Sequence, residues 1–121
     1  FKDFIDRRAV DIVQPDVIWS GGFTECRRIA AYAYAHCLPV TPHVFSSAVS
    51  LAANAHFLAS LNNGGVLEFD QNIYPLRSEL SKCPIQVAED GLVHLPQEPG
   101  LGITLRQDTV AKYRVDHSVM E

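Results

Sequence analysis

The stretch Asp11-Ile-Val-Gln-Pro-Asp16-Val-Ile-Trp19-Ser-Gly-Gly-Phe-Thr-Glu25 decides how the chain is read. Asp11 to Trp19 is short, rich in Val and Ile, and stops at Ser20-Gly21-Gly22, which reads as a strand followed by a turn. Side chains alternate along a strand, so Gln14, Asp16 and Ile18 are expected on one face and Val13, Pro15 and Val17 on the other. Thr24 is a suitable helix N-cap and Glu25 complements the positive end of the helix. Cys26, Ile29, Ala30, Ala33 and Cys37 follow as an apolar stripe of small residues. Arg27 and Arg28 lie near the same helix end, where they need a carboxylate partner.

Working outward, residues 1–8 read as the end of a helix with Phe1, Phe4 and Ile5 on one side. Downstream, Leu38-Pro39 interrupts the helical pattern and Val40 to His43 forms a short buried strand. Ser46 or Ser47 then caps a second helix running to Leu61, with Leu51, Ala52, Ala55, Leu58 and Ala59 as its apolar stripe. Asn62-Asn63-Gly64-Gly65 tolerates a left-handed helix end, and Val66 to Phe69 is a third strand. Strand–helix–strand–helix–strand with short links predicts an α/β fold with a parallel sheet. From Gln71 onward prolines and short strands dominate, with a hairpin at Glu89-Asp90-Gly91 and a closing helical turn from Asp108 to Tyr113. The expected division is therefore residues 1–70 and residues 71–121.

With 121 residues, 47% of them hydrophobic and 20% charged, the composition is that of one globular domain. A formal charge of −4, with no Lys or Arg cluster, excludes nucleic acid as a partner class. No apolar run approaches the roughly 20 residues that cross a bilayer, and the first residues lack a signal peptide's apolar stretch. These features predict a soluble, cytoplasmic protein without a membrane partner. Cys26, Cys37 and Cys83 have no metal-type spacing and do not suggest a disulfide framework, so buried free thiols are expected.

Three ionisable groups stand at the ends of the three predicted strands: Asp16, His43 and Glu68. Parallel α/β folds build their sites at that end, and a bland core has no need of one such group per strand tip. A carboxylate beside an imidazole fixes its tautomer, which suits Asp16 to orient His43 as a base. Glu68 on the next strand is placed to donate or share a proton. His36, His56, His94 and His117 read as structural or solvated, and Ser46-Ser47 as helix caps, since no Gly-x-Ser-x-Gly elbow is present. Gly21-Gly22 is no dinucleotide fingerprint. Trp19 is expected to pack between strand and helix layers, with lining of the pocket as the alternative.

The segment from Asp11 to Glu25 resembles the sixth barrel strand and following helix start of the mandelate racemase-like branch of the enolase superfamily. Pro39-Val-Thr-Pro-His-Val-Phe45 resembles the seventh strand with its catalytic histidine, and Val66-Leu-Glu-Phe69 the eighth with its acidic residue. Gly91 to Gly102 is similar to the segment that returns to the capping domain. The resemblance implies the C-terminal part of a (β/α)-barrel, holding its last three parallel strands with helices, followed by a loop- and short-strand-rich segment. It implies His43 as general base, Asp16 as its partner and Glu68 as the group bonding the substrate's carboxylate.

The implied chemistry is abstraction of the proton next to a carboxylate, leading to racemisation or to loss of water from a sugar acid, with Mg²⁺ stabilising the enediolate. The Mg²⁺ ligands of that family lie on earlier strands, so none is expected within this chain. No lysine stands between Lys2 and Lys82, which leaves the lysine-based branches without a base on the sixth strand. Alternatives are a catalytically silent structural or interaction fragment, and a hydrolase in which Asp16, His43 and Glu68 bind a metal. Open strand edges and exposed inner faces predict that the chain either associates with other chains, as in a homo-oligomer, or sits within the remainder of a cleaved enzyme.

Overall fold

The computed structural model describes residues 1–115, so His117 lies outside the described residues. Among the described residues five helices follow one another: α1 (Lys2–Asp6), α2 (Gly22–Ala35), α3 (Ala48–Ala59), α4 (Pro75–Ser78) and α5 (Gln107–Tyr113). Between them the chain is mostly loop. The three expected strands shrink to single parallel pairings, Val13 with Val40 and Val40 with Gly64. Val13 N–H donates to Pro39 O and Thr41 N–H to Val13 O, both at 3.0 Å; Val40 N–H donates to Asn63 O at 2.9 Å and Gly65 N–H to Val40 O at 2.8 Å. Each inner residue thus bonds the two residues flanking its neighbour, the slanted pattern of parallel pairing.

The third segment pairs at Gly64 rather than along Val66–Phe69. Two glycines allow this approach: a Cβ on Gly65 would stand 2.6 Å from Thr41 Oγ1. The Asn63 side chain clamps the junction by donating to Ala30 O at 3.2 Å and Leu38 O at 3.0 Å. The first segment also ends early. Trp19 N–H and Ser20 N–H both fold back onto Asp16 O, so the chain turns directly after Asp16. Burial keeps the expected alternation at every position but one: Val13, Pro15 and Val17 are buried and Gln14 and Ile18 are exposed, while the turn encloses Asp16 as well.

That turn also moves the start of α2. Gly21, at φ +91°, is the N-cap in place of Thr24, and Gly22 N–H bonds Val17 O at 3.0 Å. Glu25 remains in the first turn and pairs with Arg28 at 2.9 Å, meeting the need for a carboxylate there. Ser47 caps α3, accepting from Ser50 N–H at 3.4 Å, and α3 stops at Ala59 rather than Leu61. α3 is buried almost all round, as expected of a helix with this little polarity.

The core gathers Ile5, Val13, Val17, Cys26, Ala30, Ala33, Val40, Ala53 and Phe57. Phe57, with 1% of its surface accessible, is the largest side chain fully enclosed there, and burying such a ring stabilises by about 1.5–3 kcal/mol. Phe1 and Phe4 stay exposed, so only Ile5 of the expected stripe on α1 enters the core.

Beyond α4 the chain doubles back: Ser81 pairs antiparallel with Leu105, and Thr109 Oγ1 donates to Glu79 O at 3.2 Å. The expected hairpin is present, with Val87 opposite Val93 and Gly91 at φ +79° in the turn. Its Asp90 accepts from His94 Nε2 at 2.9 Å on the surface.

α2 ends in a Schellman arrangement, with Leu38 N–H on Ala33 O and Cys37 N–H on Tyr34 O, both at 3.0 Å. The residue in the left-handed position is Cys37, at φ +59°. Cys37 lies beyond the last helical residue and is exposed, as is Cys83, so of the three thiols only Cys26 is buried. The left-handed region costs an L-residue about 1–2 kcal/mol, part of which a glycine loses again through unfolded-state entropy. Cys37→Gly is therefore expected to raise stability by roughly 0.5–1 kcal/mol, read as a higher urea midpoint. An unchanged or lower midpoint would contradict this account of the helix end.

Candidate active site

Asp16 and His43 are brought together by the first parallel pairing. Val13 sits beside Val40, so the residues three positions further on each segment, Asp16 and His43, emerge at the same end. His43 Nδ1 lies 3.1 Å from Asp16 Oδ2. The Asp16 side chain is 4% exposed and that of His43 46%, so the carboxylate is held inside while the imidazole reaches the surface.

A buried carboxylate is costly unless its oxygens are satisfied. Asp16 Oδ1 accepts from Ile18 N–H at 2.9 Å and from Asn54 Nδ2 at 3.0 Å. The backbone around it is pinned as well: Asp16 N–H donates to Ser20 Oγ at 3.2 Å, and Val17 N–H to Asn54 Oδ1 at 3.0 Å. Asn54 Nδ2 also donates to Ser50 O at 3.2 Å, one turn back along α3. With Oδ1 fully engaged, Oδ2 is left for the imidazole. A carboxylate oxygen accepts, so the neutral ring carries its proton on Nδ1 and presents the Nε2 lone pair. No hydrogen bond among the described residues uses Nε2. An imidazole in this state can take a proton from a substrate.

Glu68 is exposed, and among the described residues its hydrogen bond is to neither member of this pair. Its Oε2 accepts from Val44 N–H at 3.3 Å, next along the chain from His43. Two residues after His43, Phe45 stacks on Tyr74 with ring centroids 6.5 Å apart. Trp19 does not pack between layers as expected; it is 79% exposed and lines a cleft of about 560 Å³ with Phe1, Ile5, Ile29 and Tyr32. That cleft contains none of Asp16, His43 and Glu68.

His36 is the C-cap of α2, His56 Nε2 lies 3.3 Å from Leu101 O, and neither touches the pair. Asn54, Ser50 and Ser20 escaped the sequence reading. The available signal was Asn54 itself, a polar residue inside the apolar run of α3.

Among the described residues no group of three or more His, Cys, Asp or Glu side chains is arranged to hold a metal ion. Asp16, His43 and Glu68 are accordingly not arranged as such a group. Among the described residues no helix is long and apolar enough to cross a membrane.

Residues 1–109 match the family described as enolase C-terminal domain-like. The chain is 36% identical over 115 residues to D-galactarolactone cycloisomerase of Agrobacterium fabrum, covering 88% of this chain and 30% of that protein. It is 35% identical over 114 residues to arabinonate dehydratase of Saccharolobus solfataricus, covering 94% of this chain and 30% of that one. The crystal structure of an enolase superfamily member from Polaromonas sp. JS666 superposes with a TM-score of 0.87 at 35% identity, over 96% of this chain and 31% of that one. The chain thus spans about 30% of the length of these curated relatives.

Beneath Asp16, burial and then the negative charge of Asp16 push the Cys26 thiol up from 9.0 to about 11. A thiol whose pKa is higher in the folded than in the unfolded chain favours folding fully below the ordinary value of 9.0, and this contribution is lost as pH rises through about 11. Iodoacetamide near pH 8 is expected to alkylate Cys37 and Cys83 in the folded protein and Cys26 only after unfolding, since the thiolate is the nucleophile. Native labelling of Cys26, mapped by peptide mass, would contradict the enclosure of this side of the site.

Proposed function

This chain belongs to the enolase C-terminal domain-like family, and we propose that it supplies the proton-transfer residues of an acid-sugar dehydratase or racemase. His43 is the general base: Nε2 takes the proton on the carbon next to the substrate's carboxylate. Asp16 holds the ring through Nδ1 and balances the charge of the imidazolium that forms. Glu68, tied to the backbone beside His43, meets the substrate's carboxylate. Dehydration completes when the hydroxyl on the neighbouring carbon leaves as water, carrying the proton that His43 removed; racemisation completes when an acid elsewhere in the whole protein delivers a proton to the opposite face and His43 gives up its own to solvent.

The observation that carries this reading is the 3.1 Å contact between Nδ1 and Oδ2, made by a carboxylate whose other oxygen already has two donors. The activities of the two relatives, D-galactarolactone cycloisomerase and arabinonate dehydratase, support the substrate class. Mg²⁺ would be held by carboxylates elsewhere in the whole protein and would supply electrostatic stabilisation of the negative charge that develops on the substrate.

In the same reading, residues 71–121 pack on a capping domain, the whole protein associates as a homo-oligomer, and this chain in isolation is inactive. Exposed apolar side chains such as Ile12, Ile18 and Val66, the last 74% accessible, fit a surface that other parts of the assembly cover.

General-base catalysis contributes about 10²–10⁴-fold, and His43→Asn in the whole protein should lower α-proton exchange of aldonic acids in D₂O by that factor. Exchange at the unaltered rate in a folded His43→Asn protein would remove His43 from the role.

A further inference from the structure

Asn54 is fully buried in the middle of α3, among alanines and Leu51. Its amide has only one workable orientation. Turned about, its NH₂ would face Val17 N–H and its carbonyl would face the Asp16 carboxylate, setting donor against donor and acceptor against acceptor. As placed, Oδ1 accepts from Val17 N–H while Nδ2 divides its hydrogens between Asp16 Oδ1 and Ser50 O. One side chain therefore fastens α3 to both the carboxylate of Asp16 and the peptide that follows it.

We propose that Asn54 is a positioning residue for the proton-transfer pair: by holding Asp16 Oδ1 it fixes the carboxylate plane so that Oδ2 faces His43 Nδ1. The inference rests on the reading of His43 as the base. Ile18 N–H alone leaves Oδ1 with a single donor, about which the carboxylate can swing. Asn54 supplies the second point that stops the rotation, and it does so without adding charge. A carboxylate at the same place would set two like charges within hydrogen-bond distance. Asn54 acts through Asp16, so its contribution exists only while Asp16 is present.

The test is a double-mutant cycle in the whole protein, following α-proton exchange with the aldonic acid that the unaltered enzyme exchanges fastest. Misplacing a catalytic group by about 1 Å costs on the order of 10²-fold, so Asn54→Leu is expected to lower kcat about 10- to 100-fold with little change in KM. In an Asp16→Asn background the same substitution is expected to add almost nothing, because the group it positions has gone. Equal losses in both backgrounds would assign Asn54 to the fold alone and overturn the proposal.

Where Asn54→Leu does not fold, Asn54→Ser takes its place, and failure of both to fold would likewise overturn it. His43→Asn separates the two layers of the argument. Exchange lost in His43→Asn but unaffected by Asn54→Leu removes the positioning role and leaves the base in place. Exchange unaffected by His43→Asn removes both.

Discussion

Burial of the Asp16 carboxylate is the constraint on which this arrangement turns. An ionisable group with 4% of its side chain accessible must find donors for both oxygens, and each comes from a different part of the chain. Ile18 N–H is supplied by the turn after the first extended segment, Asn54 by the middle of α3, and His43 by the end of the second extended segment. The early end of the first segment and the Gly21 cap of α2 go with the turn that supplies Ile18 N–H, and the apolar α3, buried on its own account, carries Asn54 to the carboxylate.

The fold positions these donors with few sheet hydrogen bonds. Val13, Val40 and Gly64 set a parallel register, and the close approach at Gly65 and the Asn63 clamp on Ala30 O and Leu38 O keep it. α2 and α3 cross between successive segments, and α3 returns its buried face to the segment holding Asp16. Beneath lie Cys26, Ala30 and Ala33, small enough to let α2 approach closely. The exposed part of the site, His43 with Glu68 beside Val44, is where a small-molecule acid would be met, while Asp16 and Asn54 stay out of reach of water.

Much of this was legible from local pattern. Asp16 and His43 stood out as polar residues at the ends of apolar runs, and their adjacency followed from parallel order. Ser47 and the Asp90-Gly91 turn were legible because capping and turn chemistry are short-range. What escaped depended on tertiary geometry. Thr24 is a sound cap, yet the turn after Asp16 starts the helix earlier, at glycines with positive φ. Cys37 matched the spacing of the α2 stripe, but the helix ends before it and a left-handed residue carries it to the surface. Trp19 reads as a packing residue until the chain turns it outward. Asn54 was hidden because its stretch reads as an apolar helix, and the partner of its amide is 38 residues away in sequence.

The central claim is that Asp16 holds the neutral imidazole of His43 with the proton on Nδ1 and the Nε2 lone pair outward. The most direct measurement is the ¹⁵N spectrum of the His43 ring in the whole protein, isotope-labelled at histidine and recorded above the pH at which the ring is charged. The account predicts a proton coupled to Nδ1 and an unprotonated Nε2, with this preference lost in Asp16→Asn. A ring protonated at Nε2 in the unaltered protein, or a tautomer indifferent to Asp16→Asn, would contradict it.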